Sequence, residues 1–266
     1  MDKSERYKIV KFPTSRLATI DIGAAAFGKH HIRALIELDV TEARRKMALI
    51  EKNGLKVSFN AWLIKCISEA ISKCDLIHGI RRGKRKVLIF NDIDVSIMIE
   101  REINKEKVPL PYVVRKANQK SIEDITREIE IGKGQEIEGE ENYVLGDRKN
   151  RIMMKTYYLL PGFLRSMIWK LMIRNPFLIK RNMGTVMITS VGMIGKFHGW
   201  IIPVSVHPLC FAVGSIVKKP GVVNDQIEVR ESLYLTALVD HDVIDGAPAV
   251  RALAHLKELV EIGFGL

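Results

Sequence analysis

The sequence predicts an α/β domain. Segments that alternate apolar and polar residues, the strand period of two, are interleaved with segments whose apolar residues recur every three or four positions, the helix period. Nearly half of the 266 residues are apolar (47%), ample for a buried core. Near the C-terminus a strand-like run, Glu231 to Asp240, passes through a short turn into a helix-like run, Ala249 to Val260.

Taken in order, residues 1–29 read as an arm with a short helix within Ser15 to Phe27. Ile32 to Val40 alternates and predicts a strand. Thr41 to Lys52 is helical and is ended by Asn53-Gly54. Ser58 is a good N-cap for a helix from Asn60 to Cys74, with Leu63, Ile67 and Ala70-Ile71 on one face. Lys84 to Phe90 and Asp94 to Ile99 predict strands around an Asn91-Asp92 turn. Val108 to Val114 predicts another strand, and Ser121 caps a helix to Ile131. Gly132 to Gly146 is acidic and reads as a loop. Arg148 to Arg181 then holds nine Lys or Arg and no acidic residue, with many aromatic and aliphatic side chains. Within it, Pro161 suits a helix first turn and Pro176 ends that helix at about Arg174.

The chemistry concentrates in His241-x-x-x-Asp245-Gly246. An imidazole at a strand-to-helix corner projects into a cleft, and histidine is the usual general base near neutral pH. Asp245 can hold the turn by accepting backbone or arginine hydrogen bonds, and Gly246 permits backbone angles closed to other residues.

Tyr234-Leu-Thr-Ala-Leu-Val-Asp-His-Asp-Val-Ile-Asp-Gly-Ala-Pro-Ala249 closely resembles the C-terminal signature of the dihydrolipoamide acyltransferases, the catalytic cores of 2-oxo acid dehydrogenase complexes; chloramphenicol acetyltransferases share its His-x-x-x-Asp-Gly. The resemblance continues in Leu35 to Thr41, Val57 to Cys66, Tyr112 to Asn118 and Gly184 to Gly195, in the family's order. It implies a chloramphenicol acetyltransferase-like mixed sheet covered by helices, assembled as a trimer with the active site between subunits. Residues 30–266 form the acyltransferase-like domain, with a basic apolar insertion at about 137–183. The implied reaction is acyl transfer between thiols, with a coenzyme A thioester as substrate and no metal. His241 is then the general base. Thr189 takes the place of the family's oxyanion-stabilising serine, and Ser190 faces the other way. Asp245 holds the turn; in chloramphenicol acetyltransferases the equivalent aspartate pairs with an N-terminal arginine, for which Arg16 is the candidate. Asp242 stands where the family commonly has arginine.

No lipoyl domain precedes the core, so a lipoyl group is expected only from another chain. A non-catalytic scaffold subunit retaining the fold is the alternative, which loss of the histidine or of the hydroxyls would favour; all are present. Three cysteines without metal-ligand spacing read as reduced and the location as cytoplasmic. His31 falls where many family members carry histidine, but it is not assigned to catalysis, and His198 and His207 read as loop residues. The formal net charge of +11 fits an anionic partner such as coenzyme A phosphates, and the absence of zinc-finger, helix-turn-helix or aromatic-basic motifs argues against nucleic acid. The basic run Arg81 to Lys86 has a hairpin-like setting and could meet such phosphates. For the insertion, the preferred reading is a helical cap over a sheet edge or subunit contact. Membrane-surface contact through 148–181 is not favoured, because Arg165, Lys170 and Arg174 do not share one helical face.

Overall fold

The alternating pattern along the chain folds into one mixed sheet with helices on its apolar face. The computed structural model describes residues 7–10, 12, 16–103, 106–134, 156–190 and 198–266. The strands are β1 (His31–Asp39), β2 (Ile80–Arg82), β3 (Lys86–Leu88), β4 (Val95–Ile103), β5 (Glu106–Val114), β6 (Val186–Ser190), β7 (Leu209–Val223) and β8 (Gln226–Asp240). The helices are α1 (Arg16–Ala26), α2 (Thr41–Lys52), α3 (Phe59–Lys73), α4 (Ile122–Gly134), α5 (Gly162–Arg174), α6 (Pro176–Met183) and α7 (Gly246–Glu261). Six strands form the main sheet in the order β1-β8-β7-β6-β4-β5, and β2 and β3 form a separate hairpin. Strand β6 runs parallel to both neighbours, and the other main-sheet pairs are antiparallel.

The register sorts side chains onto two faces, because successive residues of a strand point to opposite sides. Val95, Val186, Leu209 and Val239 fall in one row, Ile97, Ile188, Phe211 and Ala237 in the next, and all eight enter the core. Helix α3 lies on this face with Trp62, Leu63, Ile64 and Ile67 fully buried. Burying such side chains contributes roughly 1.5–3 kcal/mol each, so this helix is a principal source of stability. Trp62 keeps its indole N–H satisfied by donating to the Phe264 carbonyl at 3.0 Å, which ties the C-terminal tail to α3.

Most expected elements fall within a few residues of their observed positions, but one pairing differs. Lys84 to Phe90 does not form a hairpin with Asp94 to Ile99: β3 pairs with β2 around Gly83, and β4 joins the main sheet. Burial decides this, since Val95, Ile97 and Ile99 enter the core while Val87 and Ile89 stay exposed. The expected helix to Ile131 continues to Gly134. The rest of the acidic loop, residues 148–155 and the segment from Val191 to Gly195 lie outside the described residues.

The basic apolar segment contains the expected helix, ending at Arg174, and a second one begun by Asn175 and Pro176. Asn175 Oδ1 accepts from the backbone N–H groups of Phe177 and Leu178, and Pro176 needs no donor at the first helical position. Arg115 donates to the carbonyls of Lys180 and Arg181 at the other end of α6 and pairs with buried Asp94 at 3.0 Å. Gly184 then starts β6: its φ of +74° and the Asp94 carbonyl, 2.5 Å from where a Cβ would sit, exclude any side chain.

Helix α6 buries Pro176 and Ile179, whereas α5 buries no residue within the chain. Helix α5 packs on α1 instead. Arg165 Nε donates to Asp21 Oδ2 at 2.7 Å, Tyr157 Oη donates to the same oxygen at 2.5 Å, and Trp169 Nε1 donates to Tyr157 Oη at 2.9 Å. Asp21 is therefore the only described acceptor holding α1 and α5 through Arg165 and Tyr157 together. Asp21→Ala is expected to speed amide exchange in α1 and α5 while leaving exchange in α3 and the main sheet unchanged. Equal exchange in both helices before and after the substitution would contradict this role.

Candidate active site

The corner that carries His241 is built by its neighbours. The Asp240 carbonyl accepts from Val243 and Ile244 N–H at 3.1 and 3.3 Å, closing the turn, and Ile244 is buried beneath it. Asp240 Oδ1 accepts from Asp242 N at 3.2 Å, and Oδ2 pairs with Lys29 Nζ at 2.6 Å. This carboxylate is 1% exposed, so its charge is held by that lysine and the turn amide. His241 N donates to the His30 carbonyl at 2.9 Å, which extends the β1–β8 ladder by one step and fixes the backbone that carries the imidazole. The His241 side chain is left half exposed (52%), as a proton-transfer group needs.

Asp245 differs from expectation within the chain. Its side chain is 89% exposed, makes no cap hydrogen bond and lies 3.9 Å from His241 Nδ1, beyond hydrogen-bond distance. Only its backbone takes part in the turn, the carbonyl accepting from Ala249 N at 3.2 Å. The turn is held by Asp240 and Lys29, neither of which sequence reasoning singled out. Arg16 opens α1, is exposed, and makes no ion pair with Asp245 among the described residues. Asp242 lies 3.1 Å from His30 Nδ1 and 3.9 Å from Arg81 Nη1, and the His30 bond holds its carboxyl below the usual range.

Thr189 sits on β6 beside Ala212, on the sheet face opposite Val186 and Ile188, and is partly buried. Ser190 shares the core side by strand parity, and its hydroxyl is buried without a hydrogen-bond partner. The row through Thr189 reaches β8 at Thr236, five residues before His241. At about 4.8 Å between strands and about 3.3 Å per residue, Thr189 and His241 of one chain stand roughly 20 Å apart. The two cannot act on one carbonyl within a single chain.

His31, His78 and His207 are tied into the fold by hydrogen bonds. His207 is buried, donates from Nε2 to the Met183 carbonyl at 3.0 Å and bonds Ser205 Oγ through Nδ1 at 3.1 Å. Its carbonyl accepts from His31 Nε2 at 2.9 Å, so His31 is tied to the same segment. Burial lowers the His31 pKa against the raising effect of that carbonyl. His78 bonds Thr185 Oγ1 at 2.9 Å in the core. Burial pushes both His78 and His207 down to about 4. Their charged forms are disfavoured in the fold, so the unfolded chain binds more protons between about pH 6.5 and pH 4. Stability is present above that window and lost as pH falls through it. At pH 5 each histidine should have cost about 2 kcal/mol relative to neutral pH. Urea unfolding of His78→Gln at pH 7 and pH 5 should show a smaller loss on acidification than the parent; an unchanged loss would contradict the assignment. His198 is exposed, and no group of three His, Cys, Asp or Glu among the described residues is placed to hold a metal ion. All three cysteines are free, and burial pushes Cys66 and Cys210 up to about 12, well away from reactive thiolates.

The family described as 2-oxoacid dehydrogenases acyltransferase (catalytic domain) matches residues 181–263. The dihydrolipoyllysine-residue acetyltransferase component of the pyruvate dehydrogenase complex of Corynebacterium glutamicum is 25% identical over 237 residues, covering 85% of this chain and 29% of that protein. The mitochondrial succinyltransferase component of the 2-oxoglutarate dehydrogenase complex of Bos taurus is 24% identical over 221 residues, covering 82% and 40%. The chain thus spans less than half the length of these relatives. Among solved structures, a probable dihydrolipoamide acetyltransferase from Listeria monocytogenes superposes with a TM-score of 0.68 at 22% identity, covering 97% of this chain and 96% of that one. The cubic core of a pyruvate dehydrogenase multienzyme complex gives 0.66 at 16%, covering 98% and 95%. Chloramphenicol acetyltransferase gives 0.53 at 10%, covering 94% and 96%. The chain is therefore similar to dihydrolipoamide acyltransferases, with residues 181–263 matching their catalytic-domain model, and has a chloramphenicol acetyltransferase-like fold.

Proposed function

We propose that this protein is an acyltransferase that moves an acyl group between two thiols, one of them on coenzyme A and the other on a dihydrolipoyl group or another acceptor supplied by a separate chain. The observation that carries the proposal is the half-exposed His241 on a corner locked by Asp240 and Lys29, within the segment that matches the acyltransferase catalytic domain. His241 removes the proton of the attacking thiol. The thiolate adds to the thioester carbonyl, and the carbonyl π pair moves onto oxygen. The Thr189 hydroxyl donates a hydrogen bond to that oxyanion. Collapse of the tetrahedral intermediate expels the other thiolate, which takes the proton back from His241.

The separation of Thr189 from His241 supports a site shared between subunits, and a trimer is the assembly proposed. The mostly exposed helix α5 is assigned to contact with another subunit in preference to a membrane surface; none of the described helices is long and apolar enough to cross a membrane. Three free cysteines fit the cytoplasm. The test is thiol release from a panel of acyl-coenzyme A donors with dihydrolipoamide as acceptor. Turnover with at least one donor is expected. An intact oligomer without turnover on any donor would favour the scaffold alternative.

A further inference from the structure

Helix α5 turns an apolar ridge outward. Arg165 and Trp169 face α1 through Asp21 and Tyr157, and the opposite side of the helix carries Phe163, Met167 and Leu171. These three are spaced four apart, so they form one row along the helix, and they are 72%, 51% and 58% exposed. Leu159, just before the helix, and Ile168, beside the row, are exposed as well. Together these side chains present roughly 600 Å² per chain, at the upper end of what a monomer leaves open in one patch. Doubled, that is about 1,200 Å², the size at which specific protein interfaces begin.

The charges on the same side select the occupant. Lys170 and Arg174 are exposed, and residues 156–183 include no Asp or Glu. At 3.6 residues per turn, Arg174 projects between Phe163 and Met167. A helix laid flat on a lipid surface keeps its charges at the border of its apolar face, and this one does not. A second α5 fits better. In an antiparallel pair, Phe163 meets Leu171 of the other copy and Met167 meets its own counterpart. Lys170 and Arg174 both follow Met167 in the chain, so the cations of the two copies go to opposite ends of the seam. Rows spaced four apart interlock at a crossing angle of about −50°, which splays the helix ends and leaves Arg174 in water.

We infer that α5 joins two copies of this chain across a two-fold axis at Met167, and so joins one trimer to another. A surface that meets itself cannot close a three-fold ring, which needs two different surfaces. The contact therefore lies between trimers and not within one. The inference rests on the assignment of α5 to a subunit contact, and on the proposed trimer for what is being joined. It is independent of the acyl-transfer chemistry.

The test is sedimentation of the full chain and of Met167→Lys, with cross-linking of cysteine variants by the thiol oxidant diamide. The parent should sediment as paired trimers. Met167→Lys sets two ammonium groups against each other at the axis and should halve the mass. Its circular dichroism should not change, because Met167 is half exposed within the chain. Met167→Cys should form a disulfide with its own counterpart. Phe163→Cys alone should not, and should link only when refolded together with Leu171→Cys. A paired parent that falls to a monomer in Met167→Lys would remove the trimer proposal and leave the α5 contact standing. A parent that stays a single trimer, an unchanged mass in Met167→Lys, or no link through Met167→Cys would overturn the inference. So would salt-reversible binding of the parent to phosphatidylserine vesicles, lost in Lys170→Gln/Arg174→Gln, which would assign the face to a membrane surface.

Discussion

His241→Ala is expected to lower acyl transfer by about 10²-fold or more and to leave the protein folded. The size of the effect follows from the chemistry: without a base, the attacking thiol must lose its proton to water, and the leaving thiolate has no positioned acid. The intact fold follows from the structure. The side chain is half exposed, and the corner is held by backbone bonds from Asp240 and His30 and by the Lys29–Asp240 pair. None of these needs the imidazole. Thiol-release rates with circular dichroism and thermal melting on the same preparation check both halves. Wild-type turnover in the variant would sink the mechanism.

A mixture of two dead proteins should recover activity. Thr189→Ala removes the oxyanion donor, a loss of about 10²–10³ in turnover, and His241→Ala removes the base. Thr189 and His241 of one chain are roughly 20 Å apart by strand geometry, so on the proposed mechanism each site would take one residue from each of two subunits. Unfolding an equal mixture and refolding it together should give about a quarter of sites with both residues intact, by random assortment around a closed ring. Sedimentation of the parent should show a trimer or a multiple of three. An active monomer, or a mixture that stays dead while assembling normally, would place both residues in one chain and contradict the shared site.

What was legible in the sequence was what is local. Glu231 to Asp240 alternates because one face of β8 packs on the core, and the helix after Gly246 shows its apolar stripe for the same reason, so the corner holding His241 could be read directly. Asn53-Gly54, Pro161 and Pro176 marked boundaries because backbone angles and a missing donor act within a few residues. The placement of Thr189 and Ser190 on opposite faces followed from strand parity alone.

Tertiary structure decided whatever depends on partners far apart in the chain. The clamp on the His241 corner joins Lys29 to Asp240, 211 residues away, and no local pattern announces such a pair. The strand after Gly83 pairs backward with β2 instead of forward with β4 because the main sheet buries Val95, Ile97 and Ile99, a competition that period alone cannot settle. Helix α5 has the composition of a buried element but buries nothing, since composition records what a face could pack against and not whether the chain supplies it. The distance between Thr189 and His241 is of the same kind. The residues are named by the sequence, but their separation is set by strand order and register, and the proposal of a site shared between subunits rests on that separation.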